Sequence, residues 1–179
     1  MNNMSQNKER SFIATMTTSH GNLHLPGITH GKTTRIKKLD FDTWSFEANM
    51  DVSSYLCVKA NTAPKQLKFE FHCIDDYYSI YLITDGPYHR YALSNEDKDF
   101  ISAFRPDHDQ TTFNLLDKNG NIITLDQIDN DTPTLRIQTR GGRTLSVRGN
   151  TAVGGLVCTG KVTAQPLDFK LEILTRGTL

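Results

Sequence analysis

The chain has 179 residues, 22% of them charged, and its 20 basic and 20 acidic side chains cancel to a formal net charge of zero. That length suits one domain with a substantial core, and the charge balance excludes the domain-wide positive field by which nucleic-acid binders are recognised. No window approaches the roughly 18 to 20 apolar residues that a membrane-crossing helix needs, so no membrane insertion is expected.

In chain order, MNNMSQNKERS is polar where a signal peptide would carry an apolar stretch,. Residues 1–10 are expected to form a flexible tail before a single domain at 11–179, and the protein is expected to be cytoplasmic or exported without a classical signal peptide. From Phe12 onward, apolar runs rich in β-branched and aromatic residues alternate with Gly, Pro, Asn and Asp clusters, the pattern of strands and turns,. FIATMTTSHGNLHL at 12–25 reads as a hairpin. The long connection HLPGITHGKTTRIKK at 24–38 is the obvious surface loop. SYLCV at 54–58, RYALS at 90–94 and RTLSV at 143–147 each place an alternating apolar run after a turn. LSNEDKDFISAF at 93–104 and LDQI at 125–128 hint at helix, but each fits a short turn better. The three cysteines, Cys57, Cys73 and Cys158, are an odd number without CxxC spacing, so small buried thiols are expected rather than disulfides or zinc,.

The stretch FNLLDKNGNIITL at 113–125 has an Asn-Gly turn between two apolar runs, and it aligns without a gap to FHCIDDYYSIYLI at 71–83,. Phe71 matches Phe113, Cys73 matches Leu115, Asp75 matches Asp117 and Ile80 matches Ile122. The hairpin at 12–25 is a looser copy, and DFKLEIL at 168–174 supplies the first strand again, either to close the sheet or to begin a truncated copy. Three unequal repeats follow, at about 12–68, 69–112 and 113–179.

Phe-x-Leu-x-x-x-x-Gly-x-Ile at 113–122, followed by Arg-Thr-Leu-Ser-Val at 143–147, resembles the repeat unit of β-trefoil proteins of the fascin-like and ricin-B-lectin-like types. The resemblance implies an all-β fold in which six strands close a barrel and six form a cap of hairpins. A jelly-roll or other β-sandwich is the alternative. The Gln-x-Trp signature of ricin-type lectins is absent, and Gln110-Thr-Thr-Phe113 and Gln66-Leu-Lys-Phe69 are degenerate versions of it.

No GxSxG, P-loop, HExxH or GxGxxG motif occurs,, so no catalytic residue, cofactor or metal is assigned and an enzyme is not expected. His20, His24 and His30 share a hairpin and loop without metal-ligand spacing, and Asp107-His108-Asp109 fits a solvated turn,. Two basic groups, Lys32, Arg35, Lys37 and Lys38, and Arg136, Arg140, Arg143 and Arg148, read as charged rims of a balanced surface. The most sugar-like stretch is TDGPYHRY at 84–91. A sugar offers an apolar face to an aromatic ring and vicinal hydroxyls to planar polar groups. Asp85, Tyr88 and His89 supply those types, and DDYY adds Asp75, Asp76 and Tyr78 as further candidate ligand-binding residues.

The sequence therefore points to a non-catalytic, lectin-like module whose partner is a glycan or glycoprotein. The alternatives are a trefoil that binds a protein through loop 26–38, as a cytoskeletal crosslinker or protease inhibitor, and the receptor-binding component of a toxin.

Overall fold

The computed structural model describes residues 7–29, 35–41, 44–60, 66–97, 99–106, 110–149, 151, 154–160 and 165–177, with the backbone alone at 29, 35–41, 44–50, 96 and 97. Asp107-His108-Asp109, His30 and Lys32 lie outside the described residues. The chain is all-β, and its helical content among the described residues is one helical turn and two 3-10 turns.

It begins with strands β1 (Phe12–Thr18) and β2 (Gly21–His24). A helical turn (Pro26–Thr29) follows, then β3 (Arg35–Phe41) and β4 (Trp44–Asp51), then β5 (Cys57–Lys59) and β6 (Lys68–Ile74). Next come β7 (Tyr77–Leu82), β8 (Ala92–Asp97), β9 (Phe100–Phe104), β10 (Phe113–Leu116) and the two-residue β11 (Ile122–Ile123). The chain ends with β12 (Thr134–Thr139), β13 (Leu145–Arg148), β14 (Gly155–Thr159) and β15 (Asp168–Arg176). Strands β3 and β4 pair with each other in a separate two-stranded sheet, with Phe41 opposite Trp44. The remaining thirteen form one antiparallel sheet.

That sheet closes. Strand β1 pairs with β6, β6 with β7, β7 with β10, β10 with β12, β12 with β15, and β15 with β1 again. Closure leaves none of these six strands with an open edge. Each alternate ring interval carries a hairpin: β2 with β5, β8 with β9, and β13 with β14. The hairpins also join one another at the centre. The Leu56 amide donates to the Ile101 carbonyl at 2.8 Å, and the Val157 amide to the Leu56 carbonyl at 2.9 Å. The order ring strand, hairpin, ring strand thus occurs three times, over 12–74, 77–116 and 134–176.

The interior follows from alternation. In β15, Phe169, Leu171 and Ile173 are buried while Lys170, Glu172 and Leu174 face solvent, the period-two pattern of a strand with one wet face. Each of the three units contributes a facing pair of ring residues to the interior: Phe12 opposite Phe71, Tyr78 opposite Phe113, and Leu135 opposite Phe169. All six are buried.

Several expectations are met differently. The matched stretches at 71–83 and 113–125 are junctions between units rather than starts of units, so the boundaries expected at 68/69 and 112/113 fall one strand early. DFKLEIL is the closing strand of the ring. SYLCV is a returning hairpin strand, whereas RYALS and RTLSV lead into outgoing ones. The stretch at 93–104 forms β8 and β9, turning at Asp99 with φ of 66°; Phe100, Ile101, Ser102 and Ala103 are all buried, as expected of a strand covered on both faces. LDQI does form a 3-10 turn, Leu125–Gln127.

Residues 7–10, expected in the flexible tail, are instead ordered. Lys8–Arg10 form a 3-10 turn capped by Asn7. The Asn7 amide donates to the Cys73 carbonyl at 3.0 Å, and Arg10 forms an ion pair with Asp126 at 3.1 Å. These polar contacts order a segment that has little apolar surface to bury.

The DKNG turn is built by Asp117. Its carboxylate accepts the Asn119 amide at 2.8 Å, the Asn121 amide at 2.8 Å and the Asn121 side-chain amide at 2.9 Å. Gly120 takes φ of +85° with open space around it, so backbone conformation rather than room selects glycine. The Asn121 side-chain bond, with the Asn121 and Asn119 amides, holds the Asp117 carboxyl below its ordinary value of 3.8. A depressed folded-state value makes the turn's contribution complete above 3.8 and lost as pH falls through the lower folded value,. An NMR titration should find this carboxyl protonating below 3.8, and the shift should shrink in Asn121→Ala, which removes the side-chain bond and keeps the backbone amides.

All three cysteines are buried free thiols, as the sequence suggests. Burial pushes the Cys57 thiol up to about 12 and raises Cys73 and Cys158 as well, which keeps them in the unreactive thiol form. Ellman's reagent should therefore titrate all three only in denaturant; a thiol that reacts rapidly in the native protein would contradict this burial.

Candidate functional site

The residues expected to bind a ligand separate into three environments. Asp75 and Asp76 form the exposed turn between β6 and β7, with Asp75 at φ of 58°. Asp85, Tyr88 and His89 lie in the connection between β7 and β8, at the hairpin end of the barrel. The six residues of β7 stand between these groups, about 20 Å at roughly 3.3 Å per residue. The two turns therefore share no site.

Tyr78 belongs to neither surface. It is fully buried, its ring edge-on to Phe12 and Phe71 at 5.7 and 6.2 Å. Its hydroxyl donates to the Arg10 carbonyl at 3.2 Å and accepts from the Leu125 amide at 3.0 Å. Burial is the main cause that raises its phenol far above the ordinary value. The ring is unavailable to a sugar, which corrects the expectation that Tyr78 contacts ligand: it is a core residue that ties the N-terminal turn and the 125–127 turn to the barrel.

The connection at 83–91 is anchored twice. The buried Thr84 hydroxyl accepts the Lys68 amide at 2.7 Å. Arg90, at φ of 67°, forms a hydrogen-bonded ion pair with Glu70, a buried carboxylate that also lies 2.9 Å from Nε2 of His72. Between these anchors Asp85 and His89 are exposed. Tyr88 is half-buried: its hydroxyl is hydrogen-bonded with the Ser53 side chain, and burial followed by the nearby Asp51 charge raises its phenol. Gly27 lies beneath it. A Cβ at Gly27 would come within 2.7 Å of the Tyr88 hydroxyl, so a side chain there would displace the ring. Tyr88 meets Tyr91 edge-to-face at 5.6 Å, and Arg105 Nε donates to the Tyr91 hydroxyl at 3.2 Å.

Two candidates that are far apart in sequence thus become neighbours. The turn carrying Asp85, Tyr88 and His89 packs against Gly27 and Ile28, at the start of loop 26–38. Ser53 and Arg105 were not legible as part of this surface, nor was the contact between Gly27 and Tyr88; a glycine beside a distant aromatic leaves no signal in either local pattern.

The basic group of the third unit is dispersed. Arg136 pairs with Asp168 and Arg143 with Asp99, each at 2.9 Å. Arg148 lies over Phe100 at 6.0 Å, and Arg140 over the Tyr77 ring at 3.9 Å. Of the other basic group, Arg35, Lys37 and Lys38 fall on β3 and Lys32 is outside the described residues. Comparison with protein-family models, curated proteins and solved structures finds no match to this chain.

Replacing Tyr78 with Phe keeps the ring and strands both hydrogen-bond partners of its hydroxyl. The expected cost is about 1–3 kcal/mol of folding stability, measured by urea denaturation. A near-zero cost would remove the proposed anchoring role.

Proposed function

We propose that this chain is a non-catalytic binding module of the β-trefoil class that binds a glycan through the connection between β7 and β8. What supports the trefoil reading is the six-strand ring with its three hairpins, together with the buried facing pair that each unit contributes.

The observation that carries the ligand reading is the aromatic pair Tyr88 and Tyr91, locked edge-to-face beside exposed Asp85 and His89. Half-buried aromatic surface suits the apolar face of a pyranose, while a carboxylate and an imidazole suit its hydroxyls. Anchors at Thr84 and Arg90 reduce the conformational entropy that binding has to overcome. Asp75 and Asp76 have no part in this site.

A second reading, a protein partner engaged through segment 26–38, is favoured by the β3–β4 hairpin that continues it. That hairpin is a sheet of its own, and an isolated two-stranded hairpin is marginal in water unless something packs on it.

A glycan array tests the first reading, with the doubly substituted Asp85→Ala/His89→Ala protein as the control. Binding by the wild type and loss in the variant, at an unchanged melting temperature, is the expected result. Absence of any glycan signal at concentrations on the order of tens of micromolar would overturn it. Replacing residues 30–50 with a short Gly-Ser linker separates the second reading, since only a protein partner depends on them.

A further inference from the structure

We propose a second ligand site, a recess that binds an oxyanion, between the connection leading into β10 and the turn that joins β12 to β13. The recess has a volume of about 380 Å³ and is lined by Asn95, Gln110, Thr111, Thr112, Arg140 and Arg143, together with Thr139 and Gly141. Among the described residues its lining contains two guanidinium groups, hydroxyls and amides, and no carboxylate.

The two arginines differ. Arg143 Nη1 is 2.9 Å from the Asp99 carboxylate, so much of its charge is already answered. Arg140 is exposed, with its guanidinium carbon over the Tyr77 ring 3.9 Å from the centroid, and no carboxylate pairs with it among the described residues. A ring contact restrains a guanidinium without using its N–H donors in hydrogen bonds to a carboxylate, and such a group can take a carboxylate, sulfate or phosphate bidentately.

The surrounding backbone fixes that position. The Arg140 amide donates to the Thr112 carbonyl at 2.9 Å, and the Thr139 amide to the Arg143 carbonyl at 2.8 Å. Thr111 Oγ1 donates to Asn95 Oδ1 at 2.6 Å. With its oxygen so engaged, the Asn95 amide is left with Nδ2, a donor, for a ligand. The Thr112 hydroxyl is a further donor in the lining. With a net charge of zero on the chain, long-range attraction is small, so the site recognises an anion at contact range.

Titration of the full chain followed by ¹H–¹⁵N shifts tests the proposal. The probes are inorganic sulfate, inorganic phosphate and D-glucuronate, with D-glucose as the neutral control and sodium chloride at matched ionic strength. Saturable shifts should appear at Asn95, Thr111, Thr112 and residues 140–143 for at least one anion and not for glucose. The anion that saturates first identifies whether a planar carboxylate or a tetrahedral group is preferred.

Arg140→Gln should weaken that binding by roughly tenfold or more, the loss of a charge-assisted pair. Arg140→Lys should retain part of it, and Arg136→Gln, in a residue paired with Asp168 outside the lining, should leave it unchanged. Shifts no larger than those with chloride, shifts centred elsewhere, or equal binding by Arg140→Gln would overturn the proposal. Should Arg140→Gln fail to fold, the location and saturability of the wild-type shifts decide. The Asp85→Ala/His89→Ala protein should bind these anions normally, so failure here is distinguishable from failure of the glycan reading.

Discussion

The ring closes on a shared core in which Phe12 stacks on Phe71 at 4.4 Å with Tyr78 edge-on to both. Strand β1 has to lie beside β6, and β6 beside β7, before these three rings meet. The core therefore rewards closure rather than any single hairpin. Face-to-face and edge-to-face contacts add about 0.5–1.5 kcal/mol per pair to the burial of apolar area. Phe113, Leu135 and Phe169 join the same core from the other units. Because Tyr78 also carries a hydroxyl, the same core fixes two surface turns: its oxygen is bound by Leu125 and its proton by Arg10. A phenylalanine at this position would fill the core and leave those turns unattached.

A closed barrel of this kind frees its connections to vary. The link from the first ring strand of a unit into its hairpin is residues 19–20 in the first unit, 83–91 in the second and 140–144 in the third. The same topological position thus holds a minimal turn, the anchored turn bearing Tyr88, and the turn bearing Arg140. Both candidate sites arise there. The first unit spends its extra length inside the hairpin instead, between β2 and β5, and that insertion packs Gly27 under Tyr88. A rigid scaffold presenting variable connections is the usual arrangement for binding proteins.

The all-β class was legible because strand alternation and turn residues are local signals. The phase of the repeat was not. Asn119-Gly120 is the clearest turn in the chain, and it lies at a junction between units, so matching the best turns aligns junctions. Burial was equally hidden in DDYY: Tyr77 and Tyr78 sit at 4% and 0% exposure although Asp75 and Asp76 beside them are exposed. A strand that forms the wall of a closed ring, with Arg140 covering Tyr77 from outside, buries neighbours of both parities. Local composition does not report that covering residue, which is 63 positions away in the chain.

Charge pairing is the part of the site least readable from sequence, because it is decided by long-range contacts. Arg136, Arg140, Arg143 and Arg148 read as one basic cluster, yet the fold gives two of them carboxylates from elsewhere, Asp168 and Asp99. Arg10, Arg90 and Arg176 are likewise paired, with Asp126, Glu70 and Asp131. In a chain of zero net charge such pairing is the default, and an exposed pair is worth little, about 0–1 kcal/mol. What distinguishes Arg140 is how close a ring lies to it, 3.9 Å from the Tyr77 centroid against 6.0 Å for Arg148 over Phe100. Tyr77 orients the guanidinium without neutralising it, and a held cation without a counter-charge retains its attraction for an anion from solution.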